Sequence, residues 1–255
     1  MAVPTHPKLL DWLACELMDS GWSMKHIHRL IVTSQSYRMA STLPRSLQQT
    51  NSDATNEAAI DPDNKTYCRF PTSRMQAEVV RDSLLALSGE LDLTKGGHEI
   101  DHKQGMTSRR RSLYFAHHGE EKMEFLELFD AASACDCYAR TSSVQPQQAL
   151  ALINSQLTKS LSRRLEKRLW QLVSLEESKA NLLDMHGHFI RIAFLQVLNR
   201  EPREQELMAS QKFLDDQTIR LRGFSGPLSD FAPTERAREN LIHALMNHND
   251  FVTIR

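Results

Sequence analysis

The sequence is defined first by what it does not contain. No run approaches the roughly 18 apolar residues that a membrane-spanning helix needs, so no membrane span is expected. The N-terminal stretch MAVPTHPKLLDWLACELMD has no basic start, and Asp11 and Glu16 interrupt its apolar run. It is therefore not a signal peptide. The formal net charge is −1, which gives no electrostatic case for nucleic acid or an anionic membrane as partner. Four cysteines in 255 residues are too few for a disulfide scaffold. They form neither Cys-x-x-Cys nor Cys-x-x-Cys-His, which excludes a thioredoxin-type motif and covalent haem attachment by this chain. No Gly-x-Ser-x-Gly elbow is present. No His-Glu-x-x-His is present either, and the glycines form no phosphate-cradling loop. Internal repeats and long heptad runs are also missing.

What is present is helical periodicity, and it predicts a mainly α, irregular multi-helix fold with long loops and at most one short strand. Pro7 opens a helix over 7–19 whose face is Leu9, Leu10, Leu13, Ala14 and Leu17, and Gly21 stops it. Ser23 caps a second helix to about Tyr37, with Met24, Ile27, Leu30 and Ile31 on one side. Together they make a helical hairpin over 1–39, expected to be the C-terminal part of a larger unit, with Trp12 and Trp22 outside the apolar stripe. Residues 40–72 are rich in Ser, Thr, Asn, Asp and Gln and are expected to be a flexible connection.

Residues 73–255 read as a helical domain. Ser73 and Gln76 have capping-box spacing ahead of a helix carrying Val80, Leu84 and Leu87. Ser112 to Ala116 is the strand candidate, and Glu121 to Phe129 a short helix. Pro146 opens a long helix to about Leu172, with Leu157, Leu161, Leu165 and Leu169 inward and Arg163, Arg164, Glu166, Lys167 and Arg168 as a solvated side. Three further helices follow: His188 to Leu198, Arg203 to about Leu214, and one capped by Thr234 that runs to about His248.

Candidate chemistry concentrates between Arg109 and Ser155. Two thiolates, Cys135 and Cys137, with the imidazoles of His117 and His118, would suit tetrahedral zinc. The Cys-x-Cys spacer is shorter than the usual one, and the expectation is that these residues are not metal ligands. His26 and His28, two apart on a helix, point in different directions. His98 and His102 lie beside Gly96 and Gly97, which argue against a helix there. His186 and His188 sit at an expected helix start with no carboxylate pattern to complete a site. Arg109, Arg110 and Arg111 are expected to pair with carboxylates such as Glu120, Glu121 and Glu124. Asp130, Arg140, Pro146 and Asn154 read as a structural loop-to-helix junction. In it Arg140 bridges to Asp130, and Asn154 is a buried polar group within an apolar stripe.

Four strings line up in order: PTHPKLLDWLACELMDSGWSMKHIHRLIVTSQSYRMAS, ELFDAASACDCYARTSSVQPQQALALINS, NREPREQEL and ENLIHALMNHNDF. Together they resemble the C-terminal domain of unknown function of planctomycete multidomain proteins that often carry an N-terminal cytochrome c-like domain. The resemblance implies a helical domain that follows a second domain of unknown function in an exported or periplasmic protein. Haem c is implied only in an absent neighbouring domain. The chain starts at the family's Pro-Thr-His-Pro segment, so the resemblance implies a fragment of a larger protein. No catalytic residues carry over. The expected function is a non-catalytic packing or interaction domain, with the upstream family domains or another protein chain as partner and self-association of the isolated chain. Two alternatives stand beside it: an accessory domain of an exported haem-linked redox or polysaccharide-processing system, and a zinc-dependent enzyme.

Overall fold

The computed structural model describes residues 4–41, 61–118, 121–133, 143, 146–176, 182–223 and 232–254. The chain divides into two compact units, residues 1–73 with 254–255, and residues 74–253. The fold is mainly α. Its only strands among the described residues are a two-residue pair, β1 (Ser73–Arg74) against β2 (Thr253–Ile254).

In the first unit, α1 (Pro7–Asp19) and α2 (Met24–Thr33) form a hairpin, with α2 stopping at Thr33 rather than near Tyr37 because Ser34 leaves the helical conformation. Pro7 supplies a pre-set φ at the first helical position. Gly21 and Trp22 turn the chain in the left-handed region, and the Ser23 hydroxyl accepts the His26 N–H to open α2. Leu13, Leu17, Ile27 and Leu30 are half-buried, whereas Trp12 and Trp22 are exposed. Residues 42–60 of the expected flexible connection lie outside the described residues. Its described part is a hydrogen-bonded loop in which Asp61 accepts from Lys65 N, Thr66 N and Thr66 Oγ1. Those bonds, the Thr66 hydroxyl first, hold the Asp61 carboxyl down to about 2.

In the second unit the chain builds α3 (Ala77–Ser88), α4 (Glu124–Leu128), α5 (Pro146–Asn154), α6 (Gln156–Glu176), α7 (Leu182–Leu198), α8 (Glu204–Arg222) and α9 (Pro233–Met246). The core is organised on α6, which packs against α3, α5, α7 and α9. Its row Leu157, Leu161, Leu165, Leu169 and Val173, spaced by four, is buried throughout. Into that row pack Val80, Leu84 and Leu85 of α3, Phe189, Ile190 and Ala193 of α7, and Leu241, Ile242 and Met246 of α9, all members of one cluster.

Several expectations are corrected. The helix expected from Pro146 to Leu172 is two helices, because Ser155 ends α5 and its hydroxyl caps the N–H groups of Leu157 and Thr158 to restart as α6. The strand expected at Ser112–Ala116 is a 3-10 turn over Ser112–Tyr114 with one isolated bridge between Ile100 and Phe115. Ser73 does not cap α3. It lies in β1, Gln76 is the N-cap without a side-chain bond, and Met75 N–H is taken by the Val252 carbonyl. Thr234 does not cap α9, which starts at Pro233 after Ala232. Glu166 is not on a solvated side but almost fully buried.

The irregular segment after α3 is held by one side chain. Arg81, on α3, has no exposed surface. Its Nε and Nη2 both donate to the Gly105 carbonyl, at 3.1 and 2.9 Å. Nη2 also donates to Ser108 O at 2.6 Å, and Nη1 to Arg110 O at 3.0 Å and Ser112 Oγ at 3.3 Å. The neighbouring Asp82 accepts both the N–H and the hydroxyl of Ser112 at 2.7 Å. Burial lowers the Arg81 guanidinium to about 10, against the pull of Asp82, so it stays charged at neutral pH.

A second clamp closes the other end of the unit. Arg200 forms a bidentate pair with Glu206, both contacts at 2.8 Å, and its Nε donates to Asp250 at 2.9 Å. Glu206 also accepts the Arg203 N–H at 2.7 Å. The Arg200 hydrogen bonds, ahead of the other influences, hold Glu206 down to about 2.

Two predictions follow from the clamps. Arg81→Ala strips donors from three backbone carbonyls and a hydroxyl at once, and is expected to cost about 3–5 kcal/mol. That corresponds to a melting temperature lower by on the order of 10 °C; calorimetry showing no change contradicts the clamp. For Glu206 the folded value lies below the usual 4.5, so its contribution to stability is full above 4.5 and disappears as pH falls through about 2. Thermal melts should therefore show Glu206→Gln below wild type at neutral pH, with the gap closing across that acid window.

Candidate functional site

Two clefts flank the Lys122–Met123 backbone in the second unit, and both take most of their lining from the segment between Arg109 and Ser155. The first has a volume of about 490 Å³, with Met106, Met123, Phe125 and Leu128 as apolar wall and Lys103 and Asn154 among its polar lining. The second, of about 470 Å³, is lined by Val79, Leu113, Phe115 and Leu126 together with Arg111 and His117. Both volumes are in the range of small-ligand pockets. The Arg81 clamp sets their walls, because it fixes Gly105 in the first and Ser112 in the second. Gly105 lets Met123 pack close: a Cβ on it would stand 2.5 Å from Met123 Cγ and force that side chain to shift.

Two of the three arginines pair with carboxylates, but not those expected. Arg109 lies 3.3 Å from Glu90 and Arg111 3.4 Å from Asp82. Arg110 donates to the carbonyls of Thr94 and Gly96 and stacks over Tyr114, its guanidinium carbon 4.0 Å from the ring centre. Glu121 instead faces His102, at 3.5 Å. The long irregular chain between α3 and α4 folds back along α3, which brings Glu90 and Asp82 to the arginines before Glu121 and Glu124 are reached.

Of the metal candidates, His117 is exposed at the rim of the second cleft, and His118 is exposed 3.6 Å from Glu99. Cys135 and Cys137 lie outside the described residues. Among the described residues no group of three or more His, Cys, Asp or Glu converges as a metal site. His26 pairs with Glu16 at 2.7 Å while His28 is exposed. His102 sits in a 3-10 turn, so no helix links it to His98. His186 and His188 lie inside α7 rather than at its start.

The junction residues divide. Asp130 follows α4 in the left-handed conformation, φ 59°, a C-terminal position that Asp tolerates better than most residues. Its carboxylate accepts Ser143 N–H at 2.7 Å and the Ser143 hydroxyl at 2.8 Å, with Gln148 Nε2 at 3.4 Å. Pro146 is the first residue of α5. Arg140 lies outside the described residues. Asn154 is corrected: it is exposed on the first cleft rather than buried, because α5 ends there.

The site that sequence reasoning missed is a buried charge cluster between α6 and α9. Arg238 Nε donates to Glu166 Oε1 at 2.6 Å, and its guanidinium carbon lies 3.7 Å from the Trp170 ring centre. Both partners are almost fully buried. Glu239, also buried, bonds Arg236 and faces Arg163 at 3.4 Å. Burial pushes the Glu166 carboxyl up, against the pull of Arg238, and burial with the Arg238 charge pushes His186 down. The detectable signal was spacing: Thr158, Ser162 and Glu166 form a row four apart beside the leucine row, and the whole row is buried. Arg81 carried the same signal, four residues from both Ala77 and Leu85 on the inward face of α3.

Chemically, these groups hold backbone and helices in place through charged hydrogen bonds. Metal analysis of the purified chain is expected to find less than one zinc per molecule and no change in a Cys135→Ser/Cys137→Ser variant. A stoichiometric zinc that the double substitution removes contradicts this.

No curated protein and no solved structure matches the chain. The model of the family described as "Protein of unknown function (DUF1553)" matches residues 1–214. That match covers far more than half of the chain, which therefore belongs to this family of unknown function.

Proposed function

We propose that this chain is a helical packing and interaction domain that contributes no catalytic residue of its own, with the α1–α2 hairpin as its docking element. One observation carries the reading. Neither α1 nor α2 contains a buried residue, and Leu10, Trp12, Met18, Trp22, Met24 and Ile31 are all exposed. Helices of 13 and 10 residues are marginal in water on their own, so most of their stability has to come from packing. Six large exposed apolar side chains on so short an element support an interaction role. The buried Arg81 and Arg238 and the half-buried Arg200 each serve structure, which fits a domain built to hold shape. The planctomycete, cytochrome c-associated setting implied by the sequence resemblance fits the same reading, with haem c and the chemistry housed in a neighbouring domain.

The test is affinity capture from native cells with the full chain and with Leu10→Glu/Ile31→Glu. A partner held by wild type and lost by the variant, with helix content unchanged by circular dichroism, is the expected result. Partner capture indifferent to the substitutions, or substrate turnover by the purified chain alone, overturns the proposal.

A further inference from the structure

We infer that the partner of the α1–α2 hairpin is a second copy of this chain, the two hairpins forming an antiparallel four-helix bundle. The inference rests on the docking role proposed above and names the occupant. It is carried by charge. α1 holds three acids, Asp11, Glu16 and Asp19, against one base, Lys8. α2 holds Lys25 and Arg29 and no acid. Glu16 is used within the hairpin, where it meets His26 at 2.7 Å. Asp11, Asp19, Lys25 and Arg29 are exposed and appear in no ion pair among the described residues.

The apolar rows have matching geometry. Leu10, Ala14 and Leu17 on α1 and Met24, Ile27 and Ile31 on α2 recur at three- and four-residue steps, so each set forms one stripe. Leu10, Met24 and Ile31 remain substantially exposed. A two-fold axis parallel to the helices sets α1 of one copy against α2 of the other, antiparallel, and repeats the contact on the far side. The acidic helix then meets the basic helix twice, and the two stripes close into one core. A hairpin that divides its charge this way is complementary to itself. The opposite arrangement, α1 on α1, would set acid against acid.

The helices are only about 20 and 15 Å long, so the interface falls short of the roughly 800 Å² per partner of a standard complex. The dimer is therefore weak, concentration-dependent and sensitive to salt, because exposed charge pairs are screened.

Sedimentation equilibrium of the full chain tests this. A monomer–dimer equilibrium that shifts several-fold toward monomer as salt rises from about 0.05 to about 0.5 M is expected. Asp11→Lys/Asp19→Lys and Lys25→Glu/Arg29→Glu should each be monomeric alone and form a heterodimer when mixed. Circular dichroism confirms that each variant keeps its helices, and Leu10→Glu/Ile31→Glu provides an independent way to remove the apolar stripe. A wild-type chain that stays monomeric while the hairpin captures another protein overturns the second copy and leaves the docking role standing. A dimer unaffected by all three variants, or charge variants that do not rescue each other, overturns the inference.

Discussion

A buried guanidinium is the constraint on which much of the second unit depends. Between α3 and α4 the chain runs through a long stretch with little regular structure, so its carbonyl groups lack the partners that a helix or sheet supplies. Every such group must find a donor or keep water. Arg81 carries five N–H donors in a fixed fork, and it aims them at Gly105, Ser108, Arg110 and Ser112. The isolated cation would be expensive to bury. Four oxygen acceptors, the face of Phe115 at 4.8 Å and the Asp82 carboxylate at 3.9 Å offset that cost. Asp82 acts on the same loop from one residue further along α3, so a single helical turn fixes the backbone that walls both clefts.

Arg238 solves a different problem with the same side chain. It has no loop to hold. It joins α9 to α6 through Glu166 and lies against Trp170. A buried pair of this kind contributes little net stability relative to apolar residues of equal size. What it adds is register: Leu–Leu contacts tolerate sliding, whereas a carboxylate at 2.6 Å from one nitrogen does not. With Arg200 fixing the α7–α8 connection to the C-terminal turn, three arginines tie together the elements that surround α6.

The elements readable from the sequence were those whose signals are local. Pro7, Ser23 and the apolar rows act within a few residues: α1 has the expected bounds, α2 starts after Ser23 but stops at Thr33, and α6 keeps the expected leucine row although its start lies at Gln156. The errors share a cause, which is competition from outside the segment. Ser112–Tyr114 has strand-like residues, but Asp82 and Arg81 take its polar groups and curl it into a turn. Ser73 has capping spacing, but pairing with the C-terminal strand draws it into β1. Glu166 looks like one of five charged residues on a solvated face, and only the arrival of Arg238, 72 positions later, makes it a buried one. The cleft residues were legible as a dense segment and not as a geometry, because that geometry is set by Arg81 from a different helix.

The two units illustrate opposite routes to order. In the second, the buried apolar side chains among the described residues from Ala77 to Val252 belong to one cluster, and each Val, Leu, Ile, Phe or Met of it contributes roughly 1.5–3 kcal/mol when fully buried. Such a core sets conformational entropy against burial within the chain itself. The hairpin has no fully buried side chain with which to do so. Fixing each backbone residue costs about 1–2 kcal/mol, so its 23 helical residues carry an ordering cost that Leu13, Leu17, Ile27 and Leu30, half-buried, do not offset. On the proposed docking role, burial against a partner's surface would supply the difference. Binding and ordering of the hairpin would then be one thermodynamic event, the affinity being the surplus left after the ordering cost of the helices is met. Pro7, the Gly21 turn and the Ser23 cap favour the hairpin locally, and on the proposed role each such local signal would lower the cost that docking has to meet.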